Sequence, residues 1–313
     1  MSNKVRRVEY FFEYLLLAGF GLFLAFLPER MASWLDCKLG RIYYHLAPFR
    51  RRVAETNLSL AKLDSKVAKA AFENVGLTMA EFARFRRLDK NFFESRFNGE
   101  DIEHLRKAAQ AGKGVVLVTG HFGNWELIGA FIRQSGFPLD VVVKEQRNPL
   151  VDRWIDKNRM RQGVGIIKTG VATRSVVRSL SEGRLVAFVS DQYVGEDGIV
   201  VDFMGLPTTV SKGPAAFAVR LQAPIIVGFL VRIGPWKYKP VIFPALWPNP
   251  SADREEEIFR LTQTYTSCLE QLVRRHPHHY LWMHRKWKNL IDYKTGALKT
   301  PEVAARLPQA SQL

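Results

Sequence analysis

From about residue 98 onward the chain alternates short apolar runs with stretches of helical spacing, and this alternation leaves few folds open. The runs 115–119, 139–144, 164–167, 185–190 and 224–231 have strand length, and 125–134, 148–161, 173–182 and 214–221 read as helices between them. Strands separated by helices predict an α/β fold, a mixed and mostly parallel sheet flanked by helices. A sheet of that kind binds its ligands beyond the carboxyl ends of the strands. The chain has 313 residues, 47% of them hydrophobic and 24% charged. That is enough apolar material for a sizeable core, and it excludes collagen, coiled coil and wholesale disorder.

Ahead of the sheet pattern, 31–46 and 53–85 read as helices separated by a turn, Pro48-Phe49-Arg50-Arg51-Arg52. Farther upstream, Glu13 is the only charge between residues 10 and 28, and 14–27 are uninterruptedly apolar or Gly. A helix over this stretch, at ~1.5 Å per residue, is about 28 Å long, close to the roughly 30 Å of hydrocarbon in a bilayer. Lys4, Arg6 and Arg7 resemble the start of a signal peptide, but Leu27-Pro28-Glu29-Arg30 offers no small-x-small cleavage site. A buried amphipathic helix would keep Glu13 on a wet face, whereas Phe11, Phe12, Leu16, Phe20, Phe23 and Phe26 put apolar side chains all round. An uncleaved membrane anchor is therefore expected over 1–30. A helical region over 31–97, an α/β core over 98–290 and a C-terminal tail without periodicity over 291–313 are expected to follow.

The 46 Lys and Arg against 30 Asp and Glu give a formal net charge of +16, which calls for an anionic partner such as nucleic acid, acidic lipid or an acidic protein. Arg50, Arg51 and Arg52 fall near the expected anchor, where they favour acidic headgroups. Cys37 and Cys268 sit in no Cys-x-x-Cys or zinc spacing, which fits a reducing compartment. His276, His278, His279 and His284 have no Cys or acid at ligand spacing, so no metal site is expected. Residues 205–212 lack the Gly-x4-Gly-Lys-Ser/Thr of a nucleotide-binding loop.

Polar clusters stand at three of the strand ends. The first strand runs into Gly120-His121-Phe122-Gly123-Asn124-Trp125-Glu126, where two glycines permit a tight turn and a helix begins near Asn124. His121 and Glu126 are thereby set around one turn. An imidazole can take a proton from an alcohol while a carboxylate fixes its tautomer and stabilises the imidazolium. The spacing alone is weak, because seven His in a chain with 30 acids give roughly 0.7 such pairs by accident. The strand, the glycine turn and the helix start are what single it out. The second cluster is Lys144-Glu145-Gln146-Arg147-Asn148-Pro149, leading through a helix to Asn158-Arg159-Met160-Arg161, whose arginines can hold a phosphate or face a developing oxyanion. The third is Ser190-Asp191-Gln192, where Asp191 can orient an Arg or a His or cap a turn. Ser211-Lys212-Gly213 sets a cation at a helix N-terminus, an arrangement suited to phosphate.

Taken in order along the chain, these motifs resemble the bacterial lipid A biosynthesis acyltransferases. The resemblance rests on Gly120 to Glu126, on Arg147-Asn148-Pro149 with Asn158 to Arg161, and on Asp191-Gln192. It continues in Phe203-Met204-Gly205-Leu206-Pro207 with Gly213-Pro214-Ala215, and in the closing Tyr280-Leu281-Trp282-Met283-His284-Arg285-Lys286-Trp287-Lys288. It implies a glycerolipid-acyltransferase-like fold in an inner-membrane enzyme of lipopolysaccharide biosynthesis, with its active site facing the cytoplasm. It further implies transfer of a fatty acyl chain from acyl carrier protein to a hydroxyl of a lipid A precursor, without cofactor or metal. On this resemblance His121 and Glu126 form the catalytic pair. Arg159 and Asp191 are further catalytic residues, with Arg161 as the alternative arginine, and Asn124, Lys144, Arg147, Arg161 and Lys212 are candidate substrate-binding residues. Acyl carrier protein and an anionic glycolipid give the +16 excess its partners, and no nucleic acid is needed. Cys37 and Cys268 have no base beside them in sequence, so the acceptor hydroxyl is expected to attack the thioester directly. Two other readings stay open: an acyltransferase for another glycolipid or hydroxylated lipid, and a membrane-tethered anion-binding protein that does no chemistry.

Overall fold

The structure is a computed structural model and describes residues 3–97 and 101–299. It opens with α1 (Asn3–Phe26), α2 (Glu29–Leu46), α3 (Pro48–Leu60) and α4 (Val67–Ala83), followed by the short α5 (Lys90–Arg96) and α6 (Ile102–Ala109). Then come β1 (Val115–Thr119), α7 (Leu127–Gln134), β2 (Leu139–Val143), α8 (Pro149–Arg161), β3 (Gly165–Lys168), α9 (Ala172–Ser181) and β4 (Leu185–Val189). The hairpin β5 (Ile199–Phe203) and β6 (Leu206–Val210) precedes α10 (Gly213–Leu221), β7 (Ile225–Gly234), β8 (Lys237–Ile242) and α11 (Arg254–Arg275).

Six strands form one sheet in the order β3-β2-β4-β1-β7-β8, parallel except for the antiparallel pair β7–β8. This is the expected mixed, mostly parallel sheet flanked by helices. All five residues of β1 are buried, as they must be in a strand covered on both faces. Val116 and Val118 pack with Ala215, Leu261 and Leu269 on one side, and Val115 and Leu117 with Leu105 and Ile128 on the other. This alternation follows the period of two along a strand. β1 and β4 run in step, with Thr119 opposite Val189, so the residues that leave the two strands emerge side by side.

Two expected boundaries move. The stretch 53–85 is two helices, and the first of them starts earlier. Pro48 begins α3, where its fixed φ suits the helix and its missing N–H is not needed, so Arg50, Arg51 and Arg52 lie on a helix and not in a turn. Lys62 takes a left-handed φ of 57° and Asp64 accepts the Lys66 N–H at 2.8 Å, which separates α3 from α4. The β5–β6 hairpin, β8 and α11 lie outside the expected elements. The hairpin turns on Met204 and Gly205 at φ 57° and 80°, the conformation that matches the twist of the strands it joins.

The segment just after Asn289 is part of the fold. Ile291 bridges Leu298, and the buried Tyr293 hydroxyl accepts from the Trp287 N–H at 3.1 Å and donates to Asn57 at 2.5 Å. Residues 1–2 of the expected anchor, 98–100 at the expected domain boundary and 300–313 of the expected tail lie outside the described residues. Within α1, Arg6–Phe26 is long and apolar enough to cross a membrane, and only a small part of it is buried against the rest of the chain.

Candidate active site

The turn between β1 and α7 is held from several directions. Gly123 has a φ of +58°, and a Cβ there would stand 1.7 Å from the Leu230 carbonyl oxygen, so only glycine fits. Its N–H donates to the His279 carbonyl at 2.9 Å, and its own carbonyl accepts the Thr78 hydroxyl of α4 at 3.0 Å. The His121 carbonyl accepts the Leu281 N–H at 3.0 Å, and Phe122 bridges Tyr280. Helix α4 and the segment 279–281, with Asn74 and His279 bonded across 205 residues, thus fix the backbone that carries His121.

Asn124 belongs to this support. Its side-chain oxygen accepts the N–H groups of Glu126 at 3.1 Å and Leu127 at 2.8 Å, and its amide donates to Glu81 at 2.5 Å. Glu81 in turn pairs with the buried Arg232 at 2.6 Å. Expected to bind substrate, Asn124 is fully buried and its polar groups are engaged by the fold.

His121 Nδ1 lies 2.7 Å from Asp191 Oδ1. A carboxylate can only accept, so Nδ1 carries the proton and Nε2 keeps its lone pair; the Gln192 amide lies 3.4 Å from Nε2. The imidazole remains 21% exposed, whereas Asp191 is 3% exposed, so the ring is reachable while its partner is buried. Burial disfavours the imidazolium, but the charge and hydrogen bond of Asp191, with the charge of Glu126 behind them, raise the His121 pKa above its ordinary value. Burial also works against ionised Asp191; His121 and Lys286 outweigh it and bring that carboxyl down to about 2. Lys286, itself buried, donates to the Asp191 carbonyl and lies 4.7 Å from the Phe203 ring centroid. Burial lowers its pKa to about 8 against the pull of Asp191.

Glu126 turns toward α8. Its two oxygens accept Arg159 Nε at 2.9 Å and Nη2 at 2.6 Å, and Arg159 also lies 3.7 Å from Asp156. The carboxylate expected to hold the His121 ring was that of Glu126; here Asp191 accepts from the ring, and Glu126 accepts from Arg159. The physical reason is strand register, since β4 delivers Asp191 beside His121, while Glu126 sits at the start of α7 and faces the neighbouring helix. Of the two arginines, Arg159 reaches the site, and Arg161 is exposed and bonds to Asn158 at 3.2 Å.

The remaining expected residues spread outward. Arg147 is drawn away to α1, pairing with Glu13 at 2.7 Å and Glu9 at 3.5 Å. Lys144, just past β2, and Lys212, at the N-cap of α10, are exposed. A cavity of about 300 Å³ opens beside Gln192, walled by Tyr43, Arg50, Met283 and His284. Arg50 donates to the Met283 carbonyl there at 3.2 Å, so one member of the arginine triplet lines the cavity that Gln192 borders. His284 accepts the Tyr193 N–H at 3.1 Å, and burial pushes its pKa down to about 4, keeping it a neutral acceptor. A second, largely apolar cavity of about 320 Å³ among α1, α2 and α4 shares the walls Tyr43 and Val75 with the first.

The sequence motifs named His121, Arg159 and Asp191-Gln192 but gave no sign that Lys286 would bond at Asp191 or that Arg50 would line the cavity beside Gln192. Two polar residues placed two positions beyond the ends of parallel strands is the signal that could have paired His121 with Asp191.

The family model for bacterial lipid A biosynthesis acyltransferase matches residues 1–289 of this chain. The lipid A biosynthesis acyltransferase of Haemophilus influenzae is 25% identical over 273 residues, covering 84% of this chain and 84% of that protein. The lipid A biosynthesis palmitoleoyltransferase of Escherichia coli is 25% identical over 288 residues, covering 87% of this chain and 91% of that protein. The phosphatidylinositol mannoside acyltransferase of Mycolicibacterium smegmatis is 26% identical over 157 residues, or 47% of this chain and 52% of that protein.

Proposed function

Because the chain belongs to the bacterial lipid A biosynthesis acyltransferase family, we propose that it moves a fatty acyl chain from an acyl carrier protein thioester to a hydroxyl of a lipid A precursor, at the cytoplasmic face of the inner membrane. The observation that carries the chemistry is the His121–Asp191 pair at 2.7 Å, with the imidazole reachable and the carboxylate buried beneath it. His121 Nε2 takes the proton of the acceptor hydroxyl as that oxygen attacks the thioester carbonyl. Asp191 holds the ring through Nδ1 and stabilises the imidazolium. The tetrahedral intermediate collapses, the carbon–sulfur bond breaks, and the departing sulfur takes the proton from Nε2.

Glu126 acts at one remove. Its charge favours the imidazolium, and its two bonds fix the Arg159 guanidinium at the carboxyl end of the sheet, where a cation can face the oxyanion. Arg50, Lys144 and Lys212 offer charge to acceptor phosphates, and the +16 excess steers acidic acyl carrier protein to the site. Direct transfer is supported by the cysteines: burial raises the Cys37 thiol, and it pushes that of the buried Cys268 to about 11, which makes both poor nucleophiles.

The test is to incubate the purified full-length protein in lipid with labelled acyl carrier protein thioester and a lipid A precursor. Label is expected in the precursor, and it is expected to be lost with His121→Ala. A folded protein that transfers no label, or that labels a different hydroxylated lipid in preference, would overturn the assignment.

A further inference from the structure

We propose that α1 lies along the membrane surface with both of its ends on the side of the catalytic body, and does not cross the bilayer. This deepens the membrane reading given above and rests on it. In the first half of α1, Glu13 pairs with Arg147 at 2.7 Å and accepts from Asn148 at 2.9 Å. Asn148 also donates to the Tyr10 carbonyl at 2.8 Å. At its C-terminal end, Arg84 donates to the carbonyls of Leu24 at 3.0 Å and Leu27 at 2.5 Å, and Arg87 to that of Ala25 at 2.6 Å. These are cations placed where a helix C-terminus leaves carbonyls free. Between the two sets of ties, a Cβ on Gly21 would stand 3.0 Å from the Trp154 ring of α8. Tyr10 and Leu24 are ~21 Å apart along a helix axis, so the catalytic body runs alongside most of α1.

A spanning α1 would carry that edge into hydrocarbon. Arg147, Asp152, Arg153 and Asp156 lie on the edge, on α8 or just before it, and a charge at the bilayer centre costs about 2.5–3.5 kcal/mol even on the most lenient scale. A flat α1 leaves those charges above the apolar layer and turns its outer stripe downward. Phe12, Leu16, Phe23 and Phe26, which share one helical face by their spacing, are 58%, 73%, 52% and 69% exposed. Helix α2, which packs on α4 as α1 does, also leaves Trp34 and Leu46 exposed, at 63% and 76%. The charge of the flanks agrees. Lys4, Arg6 and Arg7 begin the chain, and Arg30, Lys38 and Arg41 follow α1; basic residues at both ends favour the same, cytoplasmic side. The partner this surface fits is an anionic bilayer, met by an apolar stripe with cations at its ends.

The test uses the full chain with Cys37→Ser, bound to sealed vesicles of phosphatidylethanolamine and phosphatidylglycerol and probed with a membrane-impermeant maleimide. One form carries a cysteine in a short tag ahead of Met1, and the other carries Ser251→Cys on the exposed surface of the catalytic body. Equal labelling of the two from outside, unchanged by detergent, is expected. A tag thiol that is labelled only after detergent, while Ser251→Cys is labelled without it, would overturn the proposal. Acyl transfer is read from the same vesicles. Turnover with the tag across the membrane overturns the flat seating and leaves the acyltransferase assignment intact, whereas no turnover with both thiols on one side does the reverse. A protein that does not bind the vesicles overturns both membrane readings.

Discussion

Around His121 the backbone is fixed by α4, by residues 279–281 and by the end of β4, whereas along α1 a few polar ties hold a helix whose outer stripe of Phe12, Leu16, Phe23 and Phe26 stays more than half exposed. The first region is polar, dry and over-determined; the second is apolar and open. In a site of low dielectric, a fixed carboxylate and a fixed cation act on a proton far more strongly than they would in water, so rigidity there is part of the chemistry. The α1 face needs no such rigidity, because the hydrophobic effect that seats it is non-directional and depends on area. Substitutions at the strand ends should therefore change rate with little change in membrane binding, and substitutions on the α1 stripe should do the opposite.

The largest expected effect breaks the first region at its centre. His121→Ala should lower kcat by about 10²–10⁴-fold, the range for a positioned acid–base group, with the melting temperature and vesicle binding unchanged. A comparable loss of vesicle binding would show that the two regions are not separable. Next in size is the support beneath the turn. Glu81 and Arg232 are 3% and 8% exposed in their side chains, and removing one partner of a buried pair strands the other at a cost of about 3–5 kcal/mol. Glu81→Leu should lower the denaturant midpoint accordingly, and a midpoint within error of the parent would show that the pair is not needed.

The pH profile separates the groups around the base. As the proposed base, His121 would have to be neutral to act, so kcat should rise with pH through its elevated pKa. Asp191→Asn removes the charge that favours the imidazolium and leaves burial dominant, which should move this limb to lower pH. Lys286→Met removes a cation that opposes the imidazolium and should move it to higher pH; shifts in the same direction would contradict the arrangement. Linkage to stability follows the same signs. The His121 contribution is full below about 6.5, the ordinary histidine value, and is lost as pH rises through the raised one. The Asp191 contribution is full above about 3.9 and is lost as pH falls toward about 2. The smallest effect concerns the surface: kcat/KM for the acyl carrier protein donor should fall several-fold from low to physiological salt as the +16 field is screened, and a flat profile would remove that steering role.

Much of the fold was legible because buried parallel strands declare themselves. β1 coincides with the apolar run 115–119, and the alternation with helices fixed the fold class. Sheet order was not legible, since nothing local in β1 says that it lies between β4 and β7. The site was legible as a set of residues and not as a set of bonds. Glu126, five positions from His121, looked like its partner, but the carboxylate that touches the ring comes from Asp191, 70 positions away. Local spacing fixes where a backbone turns; tertiary register decides which side chain it meets. Arg147 shows the same limit, since its motif suggested a phosphate and its partner proved to be Glu13 on α1. The break at Lys62 carried no glycine or asparagine to announce a left-handed residue.

The most direct test of the account is a double-mutant cycle on kcat with His121→Ala, Asp191→Ala and both together, in an acyl carrier protein transfer assay with folding verified for each protein. If Asp191 works by holding and charging the imidazole, it has nothing left to act on once the ring is gone, and the double mutant should be hardly slower than His121→Ala alone. Effects of the two substitutions that simply multiply, or full activity in His121→Ala, would contradict the claim that the His121–Asp191 pair is the base of this enzyme.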